Sequence, residues 1–365
     1  MPNKKICLII PSLRHGGAER VISVLANEWA KNIDLEIYLI LLTKQEHFYS
    51  IDKRVKIIEP SKYYRSNPID KAFYSLWTLY FIRKNIKNIR PDSILSFCER
   101  YNNIVLLSLL GTKTSVFVSD RNNPKRNLGI IHENLRKKLY RKARGIIAQT
   151  DTANQILLAK TNNKNIKTIP NPIRYIENFP DVQKENIIIN IGRFESQKNQ
   201  KDLIEIFSRL KLDDSWKLML IGVGSLKSNL VQQVGEKGLT NRTIILDFQS
   251  DIDKYFQKAK IFAFTSINEG FPNALLEAMA NGLACISYDC PTGPSELIVD
   301  EINGNLIPLH DIDLFQQKLQ ELVDNEDKQL DFGKTAQESK YKYSTATISE
   351  LYLNFILNEV DNQYC

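Results

Sequence analysis

Short apolar runs of strand length alternate with longer stretches of helical periodicity, in two successive series that take up most of the chain. In the first series "KICLII" precedes "GGAERVISVLANEWAKN", where apolar residues recur at helical spacing. There follow "LEIYLILLT", the aromatic-rich helical stretch "IDKAFYSLWTLYFIRKNIKN", the strand-like "SILSFC" and "TSVFVS", a basic helical stretch in "HENLRKKLYRKAR", and "GIIAQT". The second series runs "NIIINIGRF", "NQKDLIEIFSRL", "KLMLIGVG", "TIILDF", "IFAFTS" and "ACISYD", with helical stretches between the later strands. Strands that alternate with helices join through crossovers into parallel sheets covered on both faces, which is why each strand reads as a continuous apolar run. Between the series lies "IPNPI" at residues 169–173, where two prolines break the pattern. The expectation is an α/β protein of two Rossmann-like, doubly wound domains facing a central cleft: residues 1–170, residues 171–340, and a final helical stretch at 341–365 that packs back on the first domain. In such sheets ligands bind beyond the carboxyl ends of the strands.

A length of 365 residues suits two domains better than one core. No apolar run approaches the roughly 20 residues that span a bilayer, and the apolar part of "MPNKKICLII" is too short for a signal peptide. The five cysteines, at 7, 98, 285, 290 and 365, have neither metal-ligand nor framework spacing and read as reduced thiols of a cytoplasmic protein. The net charge of +7 hides an asymmetry: residues 1–180 hold 31 Lys/Arg against 14 Asp/Glu, and the remainder 18 against 28. A basic first half implies an anionic partner, which nucleic acid, lipid head groups or phosphorylated substrates all satisfy. No recognisable nucleic-acid-binding motif is present, which ranks nucleic acid low among these.

The densest motif is "INEGFPNALLEAMANG", residues 267–282. "IFAFTS" ends a strand, "INEG" is a loop, and a helix follows with Pro272 at its first position and Gly282 at its stop. Glu269 then precedes the helix and Glu277 lies within it. At 1.5 Å of rise per residue their carboxylates stand about 10 Å apart, beyond the ~5 Å pair of a retaining glycosidase and at the limit of an inverting one. The free NH groups of the helix start form an anion site between them. A sugar near Glu269, a diphosphate at the turn Gly270–Asn273 and ribose hydroxyls near Glu277 fit this line; a helix carrying two solvated glutamates is the plainer alternative.

Further candidates sit at other strand ends. In "NIGRFESQKNQKDLI" a strand closes at Gly192, and Arg193 and Lys198 follow in the loop, where two cations can neutralise a departing diphosphate. In "PSLRHGGAER" the pair Gly16 and Gly17 permits close backbone approach to a ligand, without the GxGxxG of a dinucleotide site. In "SDRNNPKR" Asp120 and Arg121 follow a strand and are expected to project toward the cleft. "YDCPTGPSELI" offers one more turn and helix start near Gly293, Ser295 and Glu296. The two "DID" triplets, at 251–253 and 311–313, precede helical runs and read as caps rather than metal ligands. His15, His47, His132 and His310 lack metal spacing, so no metal site is expected.

Taken together, "EGFPNALLEAMA" with its E-x7-E spacing, Arg193 and Lys198 after "NIG", the early "GGAER" and the "NPI" linker resemble a family 4 (GT4) retaining glycosyltransferase of the GT-B fold. "DCPTGPSE" and "SDRNNP" resemble more narrowly the bacterial branch that builds surface polysaccharides and lipid-linked oligosaccharides. The resemblance covers nearly the whole chain. It implies transfer of a hexose or N-acetylhexosamine (GalNAc, GlcNAc or Gal) from a UDP-sugar without a cofactor or required metal. The first domain would take the acceptor, a polyprenyl-diphosphate-linked glycan, and the second the donor. By this resemblance Glu277 binds ribose, Glu269 holds donor-sugar hydroxyls, and Arg193 and Lys198 stabilise the leaving diphosphate. Gly192, Gly270, Phe271, Pro272 and Asn273 seat the donor, and Gly16 and Gly17 line the cleft. Many members carry a histidine after the strand that ends here at Ser119; this chain has Asp120 and Arg121 instead, so the histidine's role does not transfer.

The basic first domain gains a reason from this. "NLRKKLYRKAR" at 134–144, with Leu135, Leu139 and Tyr140 among its cations, or "AFYSLWTLYFIRK" could rest on anionic lipid, placing the protein peripherally at the inner face of the cell membrane. For the aromatic stretch a core role is preferred. Two rival functions are a sugar-nucleotide epimerase of the same two-domain form and a non-catalytic basic protein that binds membrane or RNA.

Overall fold

A computed structural model of the chain describes residues 3–61 and 68–361. The chain divides into two compact units. One comprises residues up to Pro172 together with those from Ser344 onward; the other runs from Ile173 to Tyr343.

The first unit is built on a seven-stranded parallel sheet. Its strands are β1 (Lys4–Ile10), β2 (Leu35–Leu41), β3 (Lys56–Ile58), β4 (Ser93–Phe97), β5 (Ser115–Ser119), β6 (Gly145–Ala148) and β7 (Ile166–Thr168), in the order β3-β2-β1-β4-β5-β6-β7. Strand order reverses between β1 and β4, so the loops leaving these two strands flank the crevice where such sheets bind ligands. Ile6 to Ile10 are wholly buried because helices cover both faces of the sheet. The C-terminal helix Thr345–Asp361 belongs to this unit. Trp29 Nε1 donates to the Ser349 carbonyl at 3.1 Å, and the Phe355 ring meets Phe117 edge-on at 5.3 Å. A methyl group on Gly145 would lie 2.7 Å from Phe355 Cζ, so that close approach requires glycine.

The second unit holds a six-stranded parallel sheet: β8 (Ile187–Ile191), β9 (Lys217–Ile221), β10 (Thr243–Leu246), β11 (Ile261–Phe264), β12 (Ala284–Asp289) and β13 (Asn305–Pro308), in the order β10-β9-β8-β11-β12-β13. Its switch point falls between β8 and β11. The loop after β8 carries Arg193 and Lys198, and the loop after β11 carries Glu269. The topology therefore brings both acid and bases to one edge of one sheet.

The basic stretch 134–144 is not a lipid-facing strip of apolar side chains. Leu139 and Tyr140 are buried, and so is Arg136, at 1% exposure. The exposed apolar residues lie one turn earlier, at Ile130 (83% exposed) and Ile131 (74%), just after exposed Lys125 and Arg126. In the helix Pro68–Ile89, Ile82, Ile86 and Ile89 enter the core and Trp77 stacks on Phe81 at 4.8 Å, while Leu76 and Tyr80 stay exposed.

Candidate active site

Glycine contact sets the walls of the site in the second unit. A methyl group on Gly222 would overlap the Gly192 carbonyl oxygen, and one on Gly224 would overlap the Phe194 backbone. The turn after β9 is thus pressed against the turn after β8, fixed by Gly192 N to Ile221 O at 3.0 Å and Phe194 N to Val223 O at 2.9 Å. Phe194 is fully buried, whereas the neighbouring Arg193 side chain is exposed. Glu195 accepts from the Ser225 backbone NH at 3.0 Å and from its hydroxyl at 2.9 Å, which holds that carboxyl below the usual carboxylate range.

Lys198 closes the short helical turn Ser196–Lys198 and reaches across to the next loop. Its Nζ lies 2.6 Å from Glu269 Oε1 and 5.4 Å from the centre of the Phe264 ring. Both partners are largely buried, with side-chain exposures of 17% and 8%. The two loops are stitched together by Ile267 N to Gln197 O at 2.9 Å, by Gln197 Nε2 to the Asn268 carbonyl, and by Thr265 Oγ1 to the Lys198 carbonyl at 3.2 Å. A buried ion pair is disrupted at high cost if one partner is removed, and here each charge fixes the other at the sheet edge.

Beyond Glu269 the chain turns through Gly270 and Phe271 into the helix Asn273–Ala280. Pro272 is the residue before that helix rather than its first member, because its ψ of 78° is not helical. The turn is backed by the "CPTG" loop: the Thr292 hydroxyl donates to the Glu269 carbonyl, and Gly293, at φ 109°, leaves no room for a side chain beside the Pro272 ring. The "PSEL" segment is a helix of only four residues. Its loop supports the Gly-Phe-Pro turn.

Glu277 is not a solvated helix charge. It is 7% exposed, as most of its helix is buried on every side, and Arg174 Nε lies 3.6 Å from its Oε2. Arg174 is in turn held by Asp253, whose exposure is 2%. This corrects the capping assignment for the first "DID": the Asp251 side chain precedes its helix without accepting from a backbone NH of that helix, and Asp253 is a buried ion-pair partner. Asp311 of the second triplet does cap, accepting from Leu314 N at 3.0 Å.

In the first unit Gly16 precedes the helix Gly17–Trp29 in extended conformation, and Tyr49 donates its hydroxyl to the Gly16 carbonyl at 3.0 Å. The Glu19 carboxylate lies over Gly16, and burial raises its pKa. Asp120 and Arg121 do not project outward. Asp120, 2% exposed, accepts from Tyr140 Oη at 2.6 Å and Asn102 Nδ2 at 3.4 Å, with Arg136 Nη1 at 3.4 Å from its other oxygen. Burial and the nearby Glu99 push its pKa up from 3.8 to about 7, against the pull of Arg136 and Tyr140. Arg121 lies 4.5 Å over the Phe97 ring and donates to Asn171 Oδ1 at 2.5 Å and Tyr352 Oη at 3.0 Å. Both side chains tie the interior of the unit together, as parallel-strand ends leave them facing neighbouring strands and helices.

Arg174, Asn281, Gly222, Gly224 and Thr292 are not marked out by the sequence, which offers Asp253 only as a cap. One signal was available: Asp253 lies three residues before buried Phe256 on a single short helix, and so shares its inward face. For Arg174, the residue after "NPI", nothing local marks an ion-pair partner 79 positions away.

Residues 174–339 match the family of glycosyl transferases, group 1. An uncharacterised glycosyltransferase of Methanocaldococcus jannaschii is 30% identical over 283 residues, 69% of this chain and 68% of that protein. The N-acetylgalactosamine-N,N'-diacetylbacillosaminyl-diphospho-undecaprenol 4-alpha-N-acetylgalactosaminyltransferase of Campylobacter jejuni is 26% identical over 97% of this chain and 100% of its own length. Among solved structures, that of a S. aureus TarM mutant in complex with fondaparinux, alpha-GlcNAc-glycerol and UDP superposes with a TM-score of 0.76 at 18% identity. It covers 97% of this chain and 99% of that one, which is a likeness of fold.

Proposed function

This chain belongs to the group 1 glycosyl transferases, and we propose that it moves a hexose or N-acetylhexosamine from a UDP-sugar to a hydroxyl of a polyprenyl-diphosphate-linked glycan, with retention of configuration. The observation that carries the reading is the Lys198–Glu269 pair at the β8/β11 switch point, one turn of chain before the start of the helix that bears Glu277. The names of the C. jejuni relative and of the UDP-bound TarM structure support the acceptor and donor classes.

In this reading Glu269 holds donor-sugar hydroxyls, Gly270, Phe271, Pro272 and Asn273 seat the sugar and phosphates, and Glu277 takes the ribose hydroxyls. Gly192 seats the donor on a turn that Gly222 and Gly224 hold in place by packing against it. The bond from the anomeric carbon to the diphosphate oxygen breaks as the acceptor oxygen bonds to that carbon on the same face. The acceptor's proton passes to the departing phosphate oxygen. Arg193 and Lys198 neutralise the charge that builds there, the task a metal ion performs elsewhere. Gly16 and Gly17 belong to the acceptor side.

Among the described residues no helix is long and apolar enough to cross a membrane. The reading places the protein at the inner membrane face through Lys125, Arg126, Ile130 and Ile131, where two bare isoleucines beside cations suit an anionic lipid surface. The test is to incubate the protein with UDP-GalNAc, UDP-GlcNAc and UDP-Gal, each with a membrane lipid extract and each alone, and to read lipid products by mass and donor epimers by chromatography. A lipid-linked product one sugar heavier is expected. Conversion of donor without acceptor would replace this reading by the epimerase, and no reaction or binding with any donor would end it.

A further inference from the structure

The carboxylate of Glu277 is fixed by a circuit of buried and partly buried groups. Asp253 grips the Arg174 guanidinium end-on, Nη1 to Oδ2 at 2.6 Å and Nη2 to Oδ1 at 2.7 Å. That fork uses the two terminal nitrogens and leaves Nε for Glu277 Oε2, at 3.6 Å. Asp253 is fixed in its turn by the Glu177 backbone NH at 2.9 Å and by Asn281 Nδ2 at 3.2 Å. The same Asn281 amide donates to the Glu277 backbone carbonyl at 2.9 Å, and its own oxygen accepts from Gln257 Nε2 at 3.2 Å. Asp253 and Glu277 are 2% and 7% exposed, so neither charge is carried by solvent.

Two neighbouring hydroxyls bind a carboxylate well only if it is ionised and its plane is fixed, since a rotated carboxylate reaches one of them and misses the other. Arg174 meets both needs: its charge balances that of Glu277, and its planar fork, unlike a lysine ammonium, can hold Asp253 with two nitrogens and face Glu277 with the third. A site built this way rejects a ligand that lacks one hydroxyl, because a buried oxygen is then left without its donor.

We propose that Arg174, held by Asp253, is a positioning residue that sets the preference of the donor site for ribose over deoxyribose by fixing Glu277. This rests on the reading of Glu277 as the ribose carboxylate. It concerns a residue outside every motif that carries the family resemblance, and it makes the segment immediately after the "NPI" linker part of the nucleotide site.

The experiment is calorimetric binding of UDP and 2′-deoxy-UDP to the full-length protein. The wild type is expected to favour UDP by about tenfold or more. In Arg174→Met that preference falls to within about twofold while 2′-deoxy-UDP affinity changes by less than about threefold; Arg174→Lys lies between, and Asp253→Asn follows Arg174→Met. Near-normal 2′-deoxy-UDP binding reports that a variant is folded, and should Arg174→Met not fold, the near-isosteric Asp253→Asn carries the test. Equal losses for both nucleotides, or an unchanged preference, would overturn the inference. Glu277→Ala separates it from its premise. A preference lost in Glu277→Ala but kept in the Arg174 variants refutes the positioning role alone, whereas a preference kept in Glu277→Ala, or absent from the wild type, removes the ribose reading and this inference with it.

Discussion

Lys198 Nζ and Glu269 Oε1 stand 2.6 Å apart although 71 positions separate them in the chain. One residue ends the turn after β8 and the other lies in the loop after β11, and the two loops meet because these strands are neighbours at the point where strand order reverses. The pair gives the sheet edge a cation and an anion of fixed position, one suited to a leaving phosphate and the other to sugar hydroxyls.

Removing either member should slow transfer sharply. Lys198→Ala is expected to lower kcat by about 100-fold, the usual effect of losing one group that stabilises developing charge. Glu269→Gln should lower it by a similar factor, and the double variant should be little worse than either, since the pair acts as a unit. Steady-state assay with the preferred UDP-sugar checks this; kcat within a few-fold of wild type for Lys198→Ala would remove the lysine from the mechanism.

The wall of glycines should tolerate no methyl group. Gly222→Ala drives a Cβ into the Gly192 carbonyl, and Gly293→Ala adds one beside the Pro272 ring at a φ of 109°. Overpacking of this kind costs about 1–3 kcal/mol. A fall in Tm of a few degrees is expected for each, together with weaker UDP binding for Gly222→Ala. Unchanged Tm and unchanged UDP affinity would show that the turns can part freely.

Asp120 should make stability depend on pH in an unusual direction for a carboxylate. Its pKa is raised from 3.8 to about 7 by burial and by Glu99. Between these values the folded state holds a proton that the unfolded state has released. Its contribution is therefore complete below about pH 4 and is lost as pH rises through about 7. Thermal melts of the wild type and Asp120→Asn across pH 4–8 should show a difference that closes or reverses toward pH 8, as the substituted amide has no proton to lose. A constant difference across that range would count against the raised value.

The exposed isoleucines offer a test of membrane attachment. Ile130→Glu with Ile131→Glu should weaken sedimentation with anionic liposomes at low salt by roughly tenfold or more, since an apolar side chain contributes about 1.5–3 kcal/mol when fully removed from water and a lipid surface covers it in part. UDP binding should be unaffected, because these residues lie in the other unit. Equal sedimentation of variant and wild type would move the contact elsewhere.

Much of this architecture was legible beforehand. Of the thirteen strands among the described residues, ten stand out as apolar runs because a parallel strand covered on both faces has no polar side to show. β3, β7 and β13 do not, because Lys56, Lys167 and Asn305 leave these short edge strands only two consecutive apolar residues or fewer, or a run cut by Pro308. The E-x7-E segment was readable for a similar reason: strand, turn and helix are contiguous, so spacing alone orders its groups along a line.

The direction of individual side chains was another matter. Asp120 and Arg121 follow a strand just as Arg193 follows β8, and all three were assigned to the site on that ground. In the folded chain Arg193 is exposed, whereas Arg121 bonds to Tyr352 across 231 positions and Asp120 to Tyr140 across 20. Arg174 and Asp253 show the opposite case: the first carries no local signal and the second reads as a cap, yet together they stand beside Glu277. Periodicity and local spacing thus determined the sheets, the loops that leave them and the motif at residues 269–277. Tertiary structure alone decided which charges turn inward, because a buried charge needs a partner of opposite sign, and strand order rather than sequence distance settles which partner comes within reach.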